Sequence, residues 1–440
     1  MHQISVKDFP DLQLGDKRRN ERFVSIINNI NRQPGSSIPK HSASWYDTKA
    51  TYSFFSNENV TTEKLQAAIA SFGKEQIGHP NRLLIAHDIS EISYNDLQAE
   101  GLGYMANANS RGILNFSSIA ISEDGTPLSL LYQHNWVRPD DQFGKAEHRK
   151  QLGFEEKESY NWYKGITSVN QQLADGFQKI HIADREADIF DLFFCAYQPD
   201  TDLLIRAHHN RKLAEGNNLW DAVSEQPANT TSIQIPDKKG TKRTPIEVAV
   251  KYYKVEILRP LKNDCTYESV EMTAIEVKQT SDQYAWQQEL VHWQLLTTLS
   301  VTTVAEALQC VQWYCYRWLI ERFHYVLKSG TKIETLQLKH AASLQKAIHV
   351  YSIAAMRIMQ LVYQSRQTPD ISCETVLTKE QWIVLYILVH KKNVPPEQHP
   401  PSLADAVMWI AKLGGHLGRK SDGPPGLKTV WLGYQRVCDA

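Results

Sequence analysis

RLLIAHD, residues 82–88, is an apolar run that ends in an aspartate. KIHIAD, residues 179–184, repeats this arrangement, and DLLIRAH at 202–208 is a third apolar run. Runs of this length and composition are typical of strands buried on both faces of a sheet. A helix is predicted between the second and third runs, through residues 189–193. Because strands alternate with helices, the sequence predicts an α/β fold with a mixed sheet.

Further strands and helices surround these three runs. The segment 115–137 predicts two strands joined by a turn at Asp124 and Gly125. Residues from about 210 to 292 contain stretches that alternate with period two, which predicts a β-rich insertion. Strand character returns at WQLLTTL, residues 293–299. Helices are predicted near 158–177, over 303–328 and 340–364, and on to the end of the chain.

The first 70 residues are predicted to form a compact helical region. An apolar helical pattern runs through residues 23–30, and a Pro-Gly-Ser-Ser break follows at 34–37. Basic residues precede the apolar pattern: Lys17, Arg18, Arg19 and Arg22. Short helices with basic residues between them fit a DNA-binding head, and they fit a plain helical subdomain equally well.

Length and composition indicate a globular protein of several domains. The chain has 440 residues, of which 42% are hydrophobic and 22% charged. We expect three parts, at 1–70, 71–370 and 371–440. Six cysteines without paired C-x-x-C spacing indicate a reducing compartment and no zinc or disulfide framework. The absence of a signal peptide and of a run of roughly 18 apolar residues predicts a cytoplasmic protein that does not cross a membrane.

The net charge gives no general affinity for a polyanion. Forty-eight Lys and Arg stand against 49 Asp and Glu, a net charge of −1, whereas phosphate-binding proteins usually carry an excess of positive charge. DNA binding would therefore depend on local clusters, such as residues 17–22 and the basic run Lys238-Lys239 with Lys242-Arg243. Such clusters are more often a solvated surface.

Two predicted strands deliver Asp88 and Asp184 at their carboxyl ends, where open α/β sheets place their sites. A carboxylate at such a position needs compensation when it leaves water. A metal ion supplies it, and so does the start of a following helical turn that the aspartate caps. The residues alone leave both interpretations open.

The predicted helix WYCYRWLIERFHYVLK, residues 313–328, carries a polar stripe. Tyr314, Arg317, Glu321 and Lys328 fall within about 60° of one another around a helix. The apolar residues of this segment fall on the other side and are expected to face the core. A stripe with a phenol, two cations and a carboxylate suits phosphate and metal binding, and it also suits a solvated face with internal salt bridges.

These residues resemble the signature of a known family. The spacing Y-x2-R-x3-E-x6-K is met in full by Tyr314, Arg317, Glu321 and Lys328, as in the insertion-sequence-four family of bacterial transposases, the family of the transposon-five enzyme. DREAD at 184–188 resembles the segment that holds the family's second aspartate. HDISEISY at 87–94 is similar to the segment around its first.

The resemblance covers nearly the whole chain. LGDKRRNER (14–22) and DTKATYSFFSNENVT (47–61) resemble the family's amino-terminal head, which recognises terminal inverted repeats. Residues 413–436 resemble its carboxyl-terminal segment. Trp293 matches the tryptophan that occupies the space left by a flipped base, although core packing is an equally ordinary role for one aromatic residue in a strand.

The resemblance implies an RNase H-like catalytic core in which Asp88, Asp184 and Glu321 bind two Mg²⁺ ions, with Mn²⁺ as an alternative because both accept oxygen ligands. It implies metal-dependent cleavage at transposon ends, hairpin formation and joining to target DNA. Tyr314, Arg317 and Lys328 would bind the DNA backbone, and the basic residues of the head would recognise the ends. The partners expected are double-stranded DNA and a second copy of the chain.

Several alternatives stay open at this point. Relatives of the transposon-five enzyme use a further carboxyl-terminal helix for dimerisation, and the residues do not show how this chain would pair. A relative that binds DNA ends without cutting would keep the fold, as would a metal-dependent nuclease without a joining step. A structural scaffold with accidental motifs is the remaining alternative.

Overall fold

The computed structural model describes residues 1–107, 109–144, 151–173, 176–236, 243–261, 263–280, 290–391, 399–419 and 422–440. The helices in these ranges are α1 (Lys17–Arg32), α2 (Ile38–His41), α3 (Trp45–Ser56), α4 (Thr62–Glu75), α5 (Tyr160–Gln172), α6 (Leu219–Ser224), α7 (Val304–Tyr316), α8 (Trp318–Tyr325), α9 (Ala341–Gln367), α10 (Lys379–His390), α11 (Leu403–Leu413) and α12 (Leu427–Asp439). The helix predicted through 189–193 is a tighter 3₁₀ helix, Phe190–Tyr197.

The strands of the described residues form one sheet. They are β1 (Arg82–Ser93), β2 (Gly103–Tyr104), β3 (Arg111–Ile121), β4 (Pro127–Trp136), β5 (Gln178–Ala183), β6 (Thr201–Arg206), β7 (Asn229–Pro236), β8 (Arg243–Leu258), β9 (Ser269–Gln279) and β10 (His292–Thr297). Their order across the sheet is β2-β3-β1-β5-β6-β10-β9-β8-β7. β4 lies off this path and pairs with β3.

Strand directions identify the catalytic core of this sheet. β1, β5 and β6 run parallel to one another. β3 pairs antiparallel with β1, and β4 pairs antiparallel with β3. A β-meander that continues into two parallel strands is the arrangement of an RNase H-like sheet. The predicted α/β fold with a mixed sheet and helical ends is therefore confirmed.

The β-rich segment belongs to the same sheet as the core. β10 pairs antiparallel with β6 on one side and with β9 on the other. Strands β7, β8 and β9 then continue the sheet outward as antiparallel neighbours. The period-two pattern of this segment therefore marks strands that extend the core sheet.

The helical ends of the chain pack on one face of the sheet around α9. Residues along the whole length of α9 are buried, and α9 contacts α1, α3 and α4 as well as α11 and α12. One apolar core accordingly includes residues from Met1 to Val437. No helix of the described ranges has both the length and the apolar character needed to cross a bilayer.

The start of α7 shows why the sequence begins a helix where it does. The hydroxyl of Thr303 accepts a hydrogen bond from the Glu306 N–H at 3.3 Å, and the Glu306 carboxylate accepts one from the Thr303 N–H at 2.9 Å. This reciprocal capping satisfies two amide donors that have no partner inside the helix. It fixes the first turn of the helical run that leads to Glu321.

Candidate active site

Asp88 lies within β1, so the prediction that its strand ends there is wrong. Parallel pairing with β5 stops at Ala86, but antiparallel pairing with β3 continues through Asp88 opposite Ser117 to Ser93 opposite Gly112. The chain stays extended because β3 supplies a partner on one side after β5 has ended. The Asp88 side chain, 17% exposed, is therefore just beyond the end of the neighbouring parallel strand.

Asp184 follows β5 directly and caps the short turn Arg185–Ala187. Its Oδ1 accepts a hydrogen bond from the Glu186 N–H at 2.9 Å. Burial raises the pKa of Asp184, the hydrogen bond from Glu186 opposes that rise, and the neighbouring Asp88 carboxylate adds to it. Asp88 and Asp184 each follow the last parallel pair of β1 and β5 by two residues, so they come to the same end of the sheet.

Glu321 reaches the same place from α8. Its Oε1 lies 2.5 Å from Nη2 of Arg317, one helical turn earlier. Burial raises the pKa of Glu321, the Arg317 guanidinium lowers it, and Asp88 raises it further. α8 packs against β1, and His324 of α8 contacts Asp88, so the helix that carries Glu321 lies against the strand that carries Asp88.

The donor chemistry of these three carboxylates fits a divalent cation. Burial raises the pKa of Asp184 and Glu321, and the neighbouring Asp88 carboxylate raises both further. A hard cation with oxygen ligands would relieve both effects. In the described part of the chain, no group of three or more His, Cys, Asp and Glu side chains is already arranged to hold a metal ion. Each carboxylate has a neighbour of its own: Glu186 N–H for Asp184, Arg317 for Glu321 and His324 for Asp88.

His324 is a neighbour of the site that the sequence reasoning missed. Its Nδ1 lies 3.4 Å from Oδ2 of Asp88, and its side chain is 7% exposed. Its buried Nε2 has no hydrogen-bond partner within the described ranges. The signal was available, because residue 324 follows Glu321 by three positions and so lies on the same helix face.

The sequence predicted that Tyr314 lies on an exposed stripe, and this prediction is wrong. It is 5% exposed, and its ring packs edge-on against Trp293 with centroids 5.3 Å apart. Burial raises the pKa of Tyr314, while the Arg317 and Arg206 guanidinium groups beside it lower it. The phenol is therefore buried beside these cations, with the Arg317 guanidinium 5.9 Å from the centre of its ring.

Arg206, at the end of β6, is a second residue that the sequence reasoning missed. Its guanidinium donates a hydrogen bond to the His292 carbonyl at 3.3 Å. Burial lowers the pKa of Arg206, and the nearby Tyr314 phenol opposes that change. Its charge also opposes the rise in the pKa of Asp184. The available signal was that DLLIRAH ends a strand next to the strand of Asp184.

The helical run around Glu321 has two irregular points. The predicted helix 303–328 is interrupted at Arg317, although that residue keeps right-handed helical angles of φ −51° and ψ −34°. After Tyr325 it widens into the π-helical turn Val326–Gly330, which holds Lys328. Lys328 is half-buried, and its ammonium has no hydrogen bond or ion pair with the rest of the described residues.

The basic residues of the amino-terminal head differ in their exposure. Lys17 is exposed, with Glu21 at 3.8 Å, and Arg18 is also exposed. Arg19 donates to the Leu14 carbonyl at 2.8 Å, and Arg22 is ion-paired with Asp47. Arg22 thus joins α1 to α3, so its guanidinium is not free to contact DNA.

Two exposed aromatic residues stand at the start of α3. Trp45 is 80% exposed and Tyr46 is 75% exposed, next to the Asp47 that holds Arg22. Of the basic run predicted near 238–243, residues 238, 239 and 242 lie outside the described residues, as does the side chain of Arg243.

Comparison with known proteins agrees with this geometry. The family model described as "Transposase DNA-binding" matches residues 1–60, the model "Transposase DDE domain" matches residues 169–357, and the model "Transposase Tn5 dimerisation domain" matches residues 353–439. The last match gives the chain a dimerisation segment, a point that the sequence analysis left open. A solved structure of the piggyBac transposase synaptic complex with hairpin DNA has 9% identity over 82% of this chain and 72% of that chain, with a TM-score of 0.38, too low to support any inference.

The three family models match in sequence order and together take in both ends of the chain and the segment with Asp184 and Glu321. DDE domains are divalent-metal-dependent enzymes that act on DNA phosphodiesters. By these matches, the chain belongs to the Tn5-like DDE transposases.

Proposed function

We propose that this transposase cuts DNA at transposon ends, forms a hairpin on each end and joins the ends to target DNA. The observation that supports the proposal is the position of Asp88 and Asp184 just beyond the paired ends of two parallel strands. The helix of Glu321 packs against β1, and Arg317 is ion-paired with Glu321. Carboxylates next to cations suit a reaction at a phosphodiester, where a metal and a negatively charged substrate are both bound.

Asp88, Asp184 and Glu321 would hold two Mg²⁺ ions, and Mn²⁺ would also be accepted. When bound, the metal activates the attacking oxygen and stabilises the charge on the leaving oxygen. The protein's own part is to supply oxygen ligands from two rigid strands and one helix. His324 orients Asp88, and Arg317 holds Glu321 until metal and DNA bind.

Arg317, Arg206 and Lys328 would bind the phosphates on either side of the cut. A guanidinium offers a planar pair of donors that matches a phosphate. The buried Tyr314 hydroxyl orients the two arginines. Such contacts place the DNA backbone against the carboxylates and carry little sequence information.

Trp293 would take the place of a base that leaves the stack when the DNA bends into a hairpin. The ring is half-buried and packs edge-on against Tyr314, so it is held in one position beside the cations. A rigid aromatic face there offsets part of the free energy lost when the base unstacks.

The amino-terminal head would recognise the terminal inverted repeats. Lys17 and Arg18 are exposed for phosphate contact, and Arg19 remains a candidate despite its bond to Leu14. The exposed Trp45 and Tyr46 add apolar surface next to these cations, suited to thymine methyl groups and sugar edges. Two copies of the chain, paired through residues 353–439, would hold two ends together.

The test uses a duplex with the inverted repeat that flanks the coding sequence, joined to flanking DNA and labelled on each strand in turn. The products of wild-type protein with Mg²⁺ and with EDTA are separated on a denaturing gel. We expect a nick, then a hairpin, then a joined product when plasmid is added, all absent in EDTA. Binding without a cut would indicate a catalytically silent relative, and a nick without hairpin or joining would indicate a nuclease.

A further inference from the structure

A second buried carboxylate lies four residues after Asp184. The side chain of Asp188 is fully buried, with 0% of its surface exposed. An ionised carboxylate in that position must be compensated by charge and hydrogen bonds, since its transfer from water is costly. Its partners therefore reveal which parts of the fold it holds together.

Within the described residues, the side-chain oxygens of Asp188 accept hydrogen bonds from one short segment. Its Oδ2 accepts hydrogen bonds from the backbone N–H groups of His208 at 2.7 Å and His209 at 2.8 Å. Its Oδ1 accepts from Nε of Arg211 at 2.9 Å and from Nη2 at 2.5 Å. Nη2 also donates to the Asp188 carbonyl at 2.8 Å. Both oxygens are thus occupied by the residues that follow β6.

The segment held by Asp188 continues directly from Arg206. Only Ala207 separates Arg206 from His208, so the position of the Arg206 guanidinium depends on the path that the chain takes next. On the other side, Asp188 belongs to the same short stretch as the catalytic Asp184. One carboxylate therefore ties the turn that presents Asp184 to the segment that presents Arg206.

The Arg211 end of this connection is itself fixed. Arg211 is 7% exposed, and its guanidinium lies over the Phe193 ring at 5.0 Å from the centroid. An arginine with a bidentate partner and a ring beneath it has little rotational freedom. The Arg211 side chain is thus held rigidly at its end of the connection.

We propose that Asp188 is a positioning residue, which sets the place of Arg206 relative to Asp184 and so aligns the scissile phosphate with the catalytic carboxylates. The proposal rests on the proposed function of this site. Asp188 does not touch DNA or metal in this account, and its whole effect on the reaction passes through Arg206.

The test is a double-mutant cycle on the single-turnover rate of first-strand cleavage, at saturating DNA end and Mg²⁺. The variants are Asp188→Asn, Arg206→Gln and the combination. We expect each single change to slow the cut by about 100-fold, the effect of a misplacement of about 1 Å. The double variant should then be no more than about twofold slower than Arg206→Gln, because the two changes remove one shared effect.

Controls separate this role from a structural one. Asp191→Asn alters a nearby aspartate that accepts a hydrogen bond from Asn263, and it should leave the rate within about twofold. Arg211→Lys keeps the buried charge pair but loses its bidentate geometry. It should slow the cut about tenfold, and again only in the presence of Arg206. It serves as the test if Asp188→Asn does not fold.

Independent outcomes distinguish the failure of this inference from failure of the proposed function. If wild type cuts and the two effects multiply in the double variant, Asp188 does not act through Arg206 and the inference is overturned. An Asp188→Asn protein that folds and cuts at the wild-type rate also overturns it. If wild type does not cut the DNA end at all, the proposed function itself fails.

Discussion

The Nδ1 atom of His324 lies 3.4 Å from Oδ2 of Asp88, across the contact between α8 and β1. This relationship makes His324 an outer neighbour of the proposed metal site. Such neighbours orient the ligands, and their loss commonly weakens metal binding by about 10–100-fold.

We therefore expect His324→Ala to lower the affinity of the DNA-free protein for Mn²⁺ by at least about tenfold, as measured by the paramagnetic resonance signal of free Mn²⁺. Cleavage should recover at high metal concentration. His340→Ala is the control, because His340 pairs with Glu100 at the surface. Unchanged Mn²⁺ affinity in His324→Ala would show that this contact is incidental.

Arg317 is expected to act on the cut and hardly at all on DNA-end binding. Its guanidinium lies beside both Glu321 and the Tyr314 ring, so it is held where a phosphate would arrive. Arg317→Gln should slow single-turnover cleavage by about 100-fold or more and change the affinity for the DNA end by less than about threefold, since the head supplies most of that affinity. A rate within about threefold of wild type, measured with DNA and metal saturating, contradicts this role.

The exposed pair Trp45 and Tyr46 should contribute to end binding without contributing charge. Replacement of both by alanine is expected to weaken end binding about tenfold at fixed salt and to leave the slope of log K against log salt unchanged. Arg18→Gln should instead reduce that slope by about one. Fluorescence anisotropy over a salt series measures both, with the exposed Leu417→Ala as control. Equal affinity in the aromatic variant would exclude these residues from the interface.

His41 links stability to pH at a distance from the site. It is 4% exposed, and burial lowers its pKa to about 4, while the Asp47 carboxylate opposes this. The unfolded chain, with a histidine pKa of about 6.5, binds the proton more readily. The stabilisation that depends on a neutral, buried His41 is therefore complete above a pH of about 6.5. It is lost as the pH falls toward 4, at about 1.4 kcal/mol per pH unit.

His41→Gln should reduce the pH dependence of unfolding by about one proton between pH 6 and 5. Urea unfolding at these two pH values measures it. The exposed His79→Gln should leave the dependence unchanged. The same slope in wild type and His41→Gln would mean that other groups account for the acid sensitivity.

The sequence predicted the sheet well, because apolar runs are a local property. Motif spacing, which is also local, predicts a site made of Asp88, Asp184 and Glu321, and that assignment stays a prediction. The sequence misplaced the end of β1, since the pairing that carries the strand past Asp88 comes from β3, a distant segment. It also placed Tyr314 on an exposed face. Helical angles give the direction of a side chain, but they do not show that β10 brings Trp293 against it.

Arg206, Asp188 and His324 escaped the sequence reasoning for a related reason. Each acts through a contact between elements that are far apart in the chain: Arg206 with Tyr314, Asp188 with Arg211, and His324 with Asp88. A motif can mark the residues that perform the chemistry. Local signals existed for Arg206 and His324, but the contacts through which such residues act become visible only when the strands and helices are packed.

The central claim is that the three carboxylates perform the cut, and the single-turnover rate of first-strand cleavage by Asp88→Asn, Asp184→Asn and Glu321→Gln tests it most directly. The matched control is Glu91→Gln, on the same strand as Asp88 and 3.7 Å from Arg138. We predict a loss of about 1,000-fold or more in each triad variant, with end binding kept and the control within about threefold. A triad variant that binds the end and cuts it at a rate near that of wild type would contradict the account.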